Sequence, residues 1–195
     1  DYEVAFYSGA CAFILTGAEG LIGKFVVTSH LEGNIITIHL LIALIIVSLL
    51  IASYSLISFK EKSIYKADQI KIINWIFILM IIGIVLGTQV RENIENLIPI
   101  SMIGSFKYTH SFLGLGVLML AGVLWNKVST YNSGINTKNQ IKWLLNMLVL
   151  QIGIGYFLIF GGLPSYAKLI HMWLASTTLG LTVYILIDTK LSVIE

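Results

Sequence analysis

Long apolar stretches alternate with short polar stretches along the whole chain. Six apolar runs can be marked: 4–27, 35–57, 70–90, 109–125, 141–162 and 168–187. A helix that crosses a membrane needs roughly 20 mostly apolar residues, and each run is long enough to span. The hydrocarbon core has no water to satisfy backbone groups, and the runs lack the two-residue alternation of barrel strands. Each run is therefore predicted to be a transmembrane helix.

The composition agrees with a membrane protein. Of the 195 residues, 57% are hydrophobic and 11% are charged, whereas about a quarter of the residues in soluble domains are charged. Six spans with short connections use most of this length. We therefore predict an all-α, polytopic membrane helix bundle of six transmembrane helices in contact with lipid, without a separate soluble domain. The formal net charge is +2 and the lysines lie in loops, so no nucleic-acid partner is expected.

Basic residues are distributed unequally between the two sides of this predicted bundle. The loops after the second and fourth runs are rich in lysine, and Lys190 follows the sixth run. The loops on the opposite side carry fewer basic residues, namely Arg91, Lys107 and Lys168. The positive-inside rule then predicts that both termini are cytoplasmic and that the second group of loops faces outward.

A short internal repeat links the two ends of the chain. Residues 38–43 read Ile-His-Leu-Leu-Ile-Ala, and residues 170–175 read Ile-His-Met-Trp-Leu-Ala. Both segments have the pattern Ile-His-x-x-x-Ala, and both follow a run that contains several glycines and a short outer loop. We therefore predict that the first two helices are a copy of the last two.

Three histidines are predicted to lie at one depth in the membrane. His39, His110 and His171 fall within about the first two turns of the second, fourth and sixth helices, near the outer face. At about 1.5 Å rise per residue their depths agree to within one turn. Ionisable residues inside a membrane are costly and usually face a partner. An interfacial histidine bonded to a carbonyl explains any one of them equally well, but three at matching depth favour a shared role.

Haem is the ligand that best suits these histidines. A metal without a porphyrin would require carboxylates or histidines spaced four apart, and the three histidines have neither. Two imidazoles from different helices suit an iron porphyrin. The fourth and sixth helices also contain small residues that would let a macrocycle approach, although such residues serve helix packing equally. These are Gly114, Gly116, Ala175 and Gly180.

Other polar residues near the runs are weaker candidates. Glu19 interrupts the first run, where an isolated carboxylate is costly to bury, and it is a candidate for proton handling. Arg91 and Glu92 end the third run. The guanidinium suits a carboxylate, so Arg91 is a candidate partner for Glu92 or for haem propionates, with a capping or surface role equally open. His30, beside Glu32, is expected to be a solvated loop residue.

Several segments resemble the haem A synthases. Residues 86–92, Leu-Gly-Thr-Gln-Val-Arg-Glu, are similar to that family's Gly-Thr-x-Val-Arg-Glu signature at the outer end of a helix. Weaker similarity lies in 22–27, 36–39 and the stretch from Gly153 to His171. Family members have eight helices in two four-helix halves, each with a histidine pair. The resemblance therefore implies that this chain corresponds to the last six helices and lacks the first two.

The resemblance also implies a role for each histidine. His110 and His171 match the pair that ligates haem b in the C-terminal half, and His39 matches the second histidine on the substrate-haem side. The missing helices would carry a cysteine-bearing loop, a catalytic glutamate and the other histidine position. Ser111 departs from the arginine that commonly follows the first ligand. The implied domains are 1–57, the remnant of the N-terminal half, a cytoplasmic linker at 58–69, and the haem b half at 70–195.

The function implied is an oxidoreductase reaction. Haem A synthases oxidise the C8 methyl of haem O to a formyl group in bacterial cytoplasmic and mitochondrial inner membranes. This chain would supply the electron-transfer half, with an electron donor and a haem O supplier as partners and the oligomeric state, monomer or homo-oligomer, left open. The alternatives are a b-type cytochrome that only transfers electrons, and a transporter or assembly factor with interfacial histidines. Catalysis is not expected if the natural protein starts here.

Overall fold

A computed structural model describes residues 2–58, 63–99, 102–131, 133–160 and 163–191. Within these ranges the chain forms six α-helices and no strand, which confirms the all-α class. Lys60 and Lys62, in the predicted linker, lie outside the described residues, as does the predicted end of the fifth run. The helices are α1 (Tyr2–Thr28), α2 (Gly33–Ile57), α3 (Ala67–Glu95), α4 (Gly104–Thr130), α5 (Ile135–Phe160) and α6 (Ser165–Leu191).

Each described helix is long and apolar enough to cross a membrane. Most extend past their apolar run, because backbone hydrogen bonding continues into the polar residues that flank it. α4 begins at Gly104, before the predicted start at Thr109. α3 continues to Glu95, so the prediction that Arg91 ends this helix is wrong. The physical reason is an ion pair of Arg91 with Glu95, one turn further on, which favours another helical turn.

The helices form two compact units. Unit 1 comprises 1–60 and 85–107, and unit 2 comprises 61–84 and 108–195, so α3 and α4 each contribute to both units. In unit 1, α1 packs along α2; in unit 2, α5 packs along α6. The division predicted from the resemblance, with a boundary at 58–69, stays a prediction.

The core of unit 2 follows from residues spaced three and four apart on each helix. Such positions form one stripe along a helix, so they can be buried together against neighbours while the opposite face meets lipid. Trp143 and Met119, on the same helices, are exposed accordingly. The buried stripes are Val117, Ala121, Leu124 and Val128 on α4, and Thr137, Ile141, Leu144 and Leu148 on α5.

Within unit 2, hydrogen bonds fasten the segment before α3 to α5. The hydroxyl of buried Tyr65 donates to Gln140 Oε1, and Gln140 Nε2 donates to Asp188 Oδ2 at 2.7 Å. Thr137 Oγ1 donates to the Ile64 carbonyl at 3.3 Å. Burial, and secondarily the charge of Asp188, raise the pKa of the Tyr65 phenol above its ordinary value. The hydroxyl therefore stays protonated as a donor, and this end of unit 2 is held together by a continuous network.

Candidate functional site

The three histidines occupy the same position in their helices. His39 is the seventh residue of α2, His110 the seventh of α4 and His171 the seventh of α6. At about 1.5 Å per residue, each lies roughly 9 Å along the axis from its helix start. They are thus within the first two turns, where the apolar pattern predicted them. The structure brings His110 and His171 together in unit 2, while His39 lies in unit 1.

His110 is held by the backbone of α3. Its Nδ1 lies 3.0 Å from the Gly83 carbonyl oxygen, and the ring N–H donates to that oxygen. This hydrogen bond selects the tautomer in which Nε2 carries the lone pair. A Cβ on Gly83 would lie 2.9 Å from Leu113 Cδ2, so the close approach of α3 and α4 at this level suits glycine. The result is an oriented imidazole whose Nε2 suits metal ligation.

His171 faces His110, with ring centroids 6.4 Å apart and planes inclined by 70°. Gln151 Nε2, on α5, lies 3.2 Å from His171 Nε2. The other nitrogen, Nδ1, is buried and has no hydrogen-bond partner. Buried polar atoms are nearly always satisfied, so a ligand is expected at Nδ1. Metal ligation through Nδ1 needs the ring proton on Nε2, with the Gln151 amide turned so that its oxygen, which is also buried without a partner, accepts a hydrogen bond from that nitrogen.

These residues fit an iron porphyrin. A metal lies about 2 Å from a ligating imidazole nitrogen, so two imidazoles on opposite sides of one iron have centroids roughly 6 Å apart once the ring radius is added. The observed separation of 6.4 Å meets that condition. No group of three or more histidine, cysteine or acidic residues within the described ranges could hold a metal ion directly. A porphyrin supplies its own four nitrogens, so two histidines suffice.

Glu19 and His39 form a second pair, in unit 1. Glu19 Oε1 lies 2.9 Å from His39 Nδ1, at ion-pair distance but off the axis of a hydrogen bond. The Glu19 side chain is 13% exposed and the His39 side chain 38%. Both carboxyl oxygens are buried without a hydrogen bond. The carboxyl group singled out by the apolar run therefore has a histidine partner, and the pair retains unused hydrogen-bonding capacity.

Sequence reasoning missed Gln151, although a signal for it exists. Gln151 precedes His171 by 20 residues, as Glu19 precedes His39. A glycine also precedes each histidine by 16 residues. A Cβ added at Gly23 would lie 3.4 Å from His39 Cε1, and a Cβ added at Gly155 would lie 3.2 Å from His171 Cε1. Extending the alignment of the repeat back into the first helix of each pair would have found both contacts.

The segment 86–92 fastens α3 to α2 within unit 1. Thr37 Oγ1 donates to Thr88 Oγ1 at 3.0 Å. The Glu92 carboxyl lies so close to Gly33 that a Cβ there would overlap it. Arg91 Nε donates to Glu95 Oε1 at 2.8 Å, so its contact with a propionate stays a prediction. His30 is exposed, as expected for a solvated loop residue.

Replacing Gly155 with valine is expected to displace His171. The added Cβ alone would meet His171 Cε1 at 3.2 Å, tighter than most such contacts, and the valine methyls add bulk at the same place. Overpacking of this kind costs about 1–3 kcal/mol. We expect lower thermal stability and altered haem absorption in purified protein. Gly153→Val is the matched control, because nothing lies within 4 Å of a Cβ at Gly153; equal effects of both changes would contradict the contact.

The sequence model of one family matches almost the whole chain. Its description is cytochrome oxidase assembly protein, COX15-CtaA, and the match covers residues 5–183. The matched range includes all three helical histidines, Glu19 and Arg91. Neither the curated proteins nor the solved structures contain a significant match.

Proposed function

Since the chain belongs to the COX15-CtaA family of cytochrome oxidase assembly proteins, the haem A synthases, we propose that it acts in the oxidation of the C8 methyl of haem O to the formyl group of haem A. His110 and His171 are the axial ligands of a haem b, and His39 lies on the side of the substrate haem. The observation that carries the proposal is the His110–His171 pair, 6.4 Å apart with an orphaned buried ring nitrogen.

The residues around the pair orient the ligands. The Gly83 carbonyl accepts a hydrogen bond from the Nδ1–H group of His110. The lone pair of the ring is therefore on Nε2, where it is available to a metal. Gln151 holds His171 from α5, and Gly155 lets that helix come close enough for the contact. Haem bound there supplies a one-electron redox centre. The chain itself therefore supplies the orientation of the ligands.

The basic loops support an orientation in the membrane. All three histidines lie near the helix ends opposite the lysine-rich loops, so the positive-inside rule puts them toward the outer face of a bacterial cytoplasmic membrane, with both termini inside. Arg91 lies in the segment that resembles the family signature. When haem binds, its guanidinium would leave the ion pair with Glu95 and bind a haem propionate instead. An electron donor and a protein that delivers haem O complete the set of partners.

A b-type cytochrome that only transfers electrons is the second candidate, because the His110–His171 pair serves it equally well. The Glu19–His39 pair favours the synthase. A buried carboxyl against a second histidine is not required to hold one haem between His110 and His171, whereas it suits a protein with a second haem position.

Turnover of haem O by the purified full-length protein tests the proposal. The protein is given haem O and a reductant in aerated buffer, and the extracted haems are separated and identified by mass. We expect haem A to accumulate and the protein to show the Soret and α bands of haem b. Haem b bands without any haem A would assign the chain to electron transfer alone, and no haem bands at all would overturn haem binding.

A further inference from the structure

The two helix pairs α1–α2 and α5–α6 build the same arrangement around a histidine. In each pair the histidine is the seventh residue of the second helix. In each, a glycine of the first helix lies against Cε1 of the ring, and a polar side chain one turn before that glycine contacts a ring nitrogen, which is Nδ1 in His39 and Nε2 in His171. The polar side chain is Glu19 beside His39 and Gln151 beside His171. The copies thus differ in the charge that this partner can carry.

This difference has a direct electronic consequence for a ligand bound on the histidine. A carboxylate 2.9 Å from a ring nitrogen stabilises positive charge on the imidazole and on a metal bound to it, and so favours the ferric form of haem iron. A neutral amide does so far less. Hydrogen bonding to an axial ligand is one of the factors by which a protein sets the reduction potential of haem iron.

The environment of Glu19 supports a role beyond packing. Its carboxyl oxygens are buried, both lack a hydrogen bond, and the atom they approach is Nδ1 of His39. An unsatisfied carboxyl group is costly in an apolar setting, and the other copy shows that an amide fits the same position. The acidic side chain at this position therefore has a cost that packing alone does not explain.

We propose that Glu19 is a positioning residue that acts through His39 and gives haem held there a lower reduction potential than haem held by His110 and His171. The inference rests on the proposed function and deepens it. Haem held by His39 would then be the stronger reductant of the two, and haem held by His110 and His171 the stronger oxidant.

Reciprocal substitutions in the full-length protein test this inference. Each site is read alone by redox titration with visible and electron paramagnetic resonance spectra, after loading with haem: the His39 site in a His110→Ala/His171→Ala background, the other in a His39→Ala background. We expect Glu19→Gln to favour the ferrous form on His39 at least tenfold, about +59 mV for a one-electron couple. Gln151→Glu should favour the ferric form at the other site by a similar factor.

Two further variants separate charge from structure. Glu19→Asp keeps the carboxyl group and should retain the low potential on His39. Gln151→Leu removes the hydrogen bond without adding charge and should shift the potential less than Gln151→Glu. If haem binds at both sites but the reciprocal variants leave the reduction potentials unchanged, the inference is overturned and the proposed function stands. The same conclusion follows if haem binds only to the His110–His171 pair. Absence of haem from both sites would overturn both.

Discussion

Alanine at His110 or at His171 is expected to abolish the low-spin haem b spectrum of the purified protein. Two imidazoles on one iron give a six-coordinate, low-spin centre, and removal of either ligand leaves a five-coordinate, high-spin centre or no haem. The rings are 6.4 Å apart on α4 and α6, so no other histidine is needed for the pair. Visible absorption and electron paramagnetic resonance of the two variants measure the outcome.

The matched control for these variants is His30→Ala. His30 is exposed in the turn after α1 and should leave the spectrum unchanged. A second comparison is Gly83→Leu, which would crowd Leu113 and disturb the carbonyl that holds His110 without removing a ligand. We expect that variant to lose part of its haem. Low-spin bands that persist in both His110→Ala and His171→Ala would contradict the assigned pair.

Most of the fold could be predicted from the sequence because burial in lipid imposes long apolar runs. The six helices are the six runs, and the depth of the histidines follows from counting residues within them. The helix ends could not be placed this way, since they depend on local contacts such as that of Arg91 with Glu95. Hydropathy identifies the apolar segment of a helix but does not predict how many polar turns extend the helix at either end.

The candidate site was predictable only in part. An ionisable residue in an apolar run is visible in the sequence, which is why Glu19 and the helical histidines stand out. Their partners depend on which helix faces meet. The Gly83 carbonyl that holds His110 is a backbone atom with no residue preference, and Gln151 is an ordinary helix residue until α5 is packed on α6. In the sequence, only the repeat indicates that Gln151 pairs with His171, because Glu19 precedes His39 by the same 20 residues.

Alanine at His39 is expected to abolish conversion of haem O to haem A while the haem b spectrum persists. His39 contacts Glu19 and Gly23, which all belong to unit 1. The ligands of the proposed haem b, His110 and His171, belong to unit 2 and have partners of their own there. Loss of the His39 imidazole is therefore expected to remove a contact of the proposed substrate haem and to leave the proposed haem b bound.

The measurement combines two readouts on one preparation of the full-length protein: haem A formed from haem O, identified by mass, and the reduced-minus-oxidised spectrum of haem b. Ile38→Ala is the neighbouring control, because that side chain is exposed and takes no part in the Glu19–His39 contact. It should retain both signals. Because the two units carry separate histidines, a His39→Ala variant that loses the haem b spectrum together with turnover would show that the histidines serve one shared site, and the assignment of separate haem positions would be wrong.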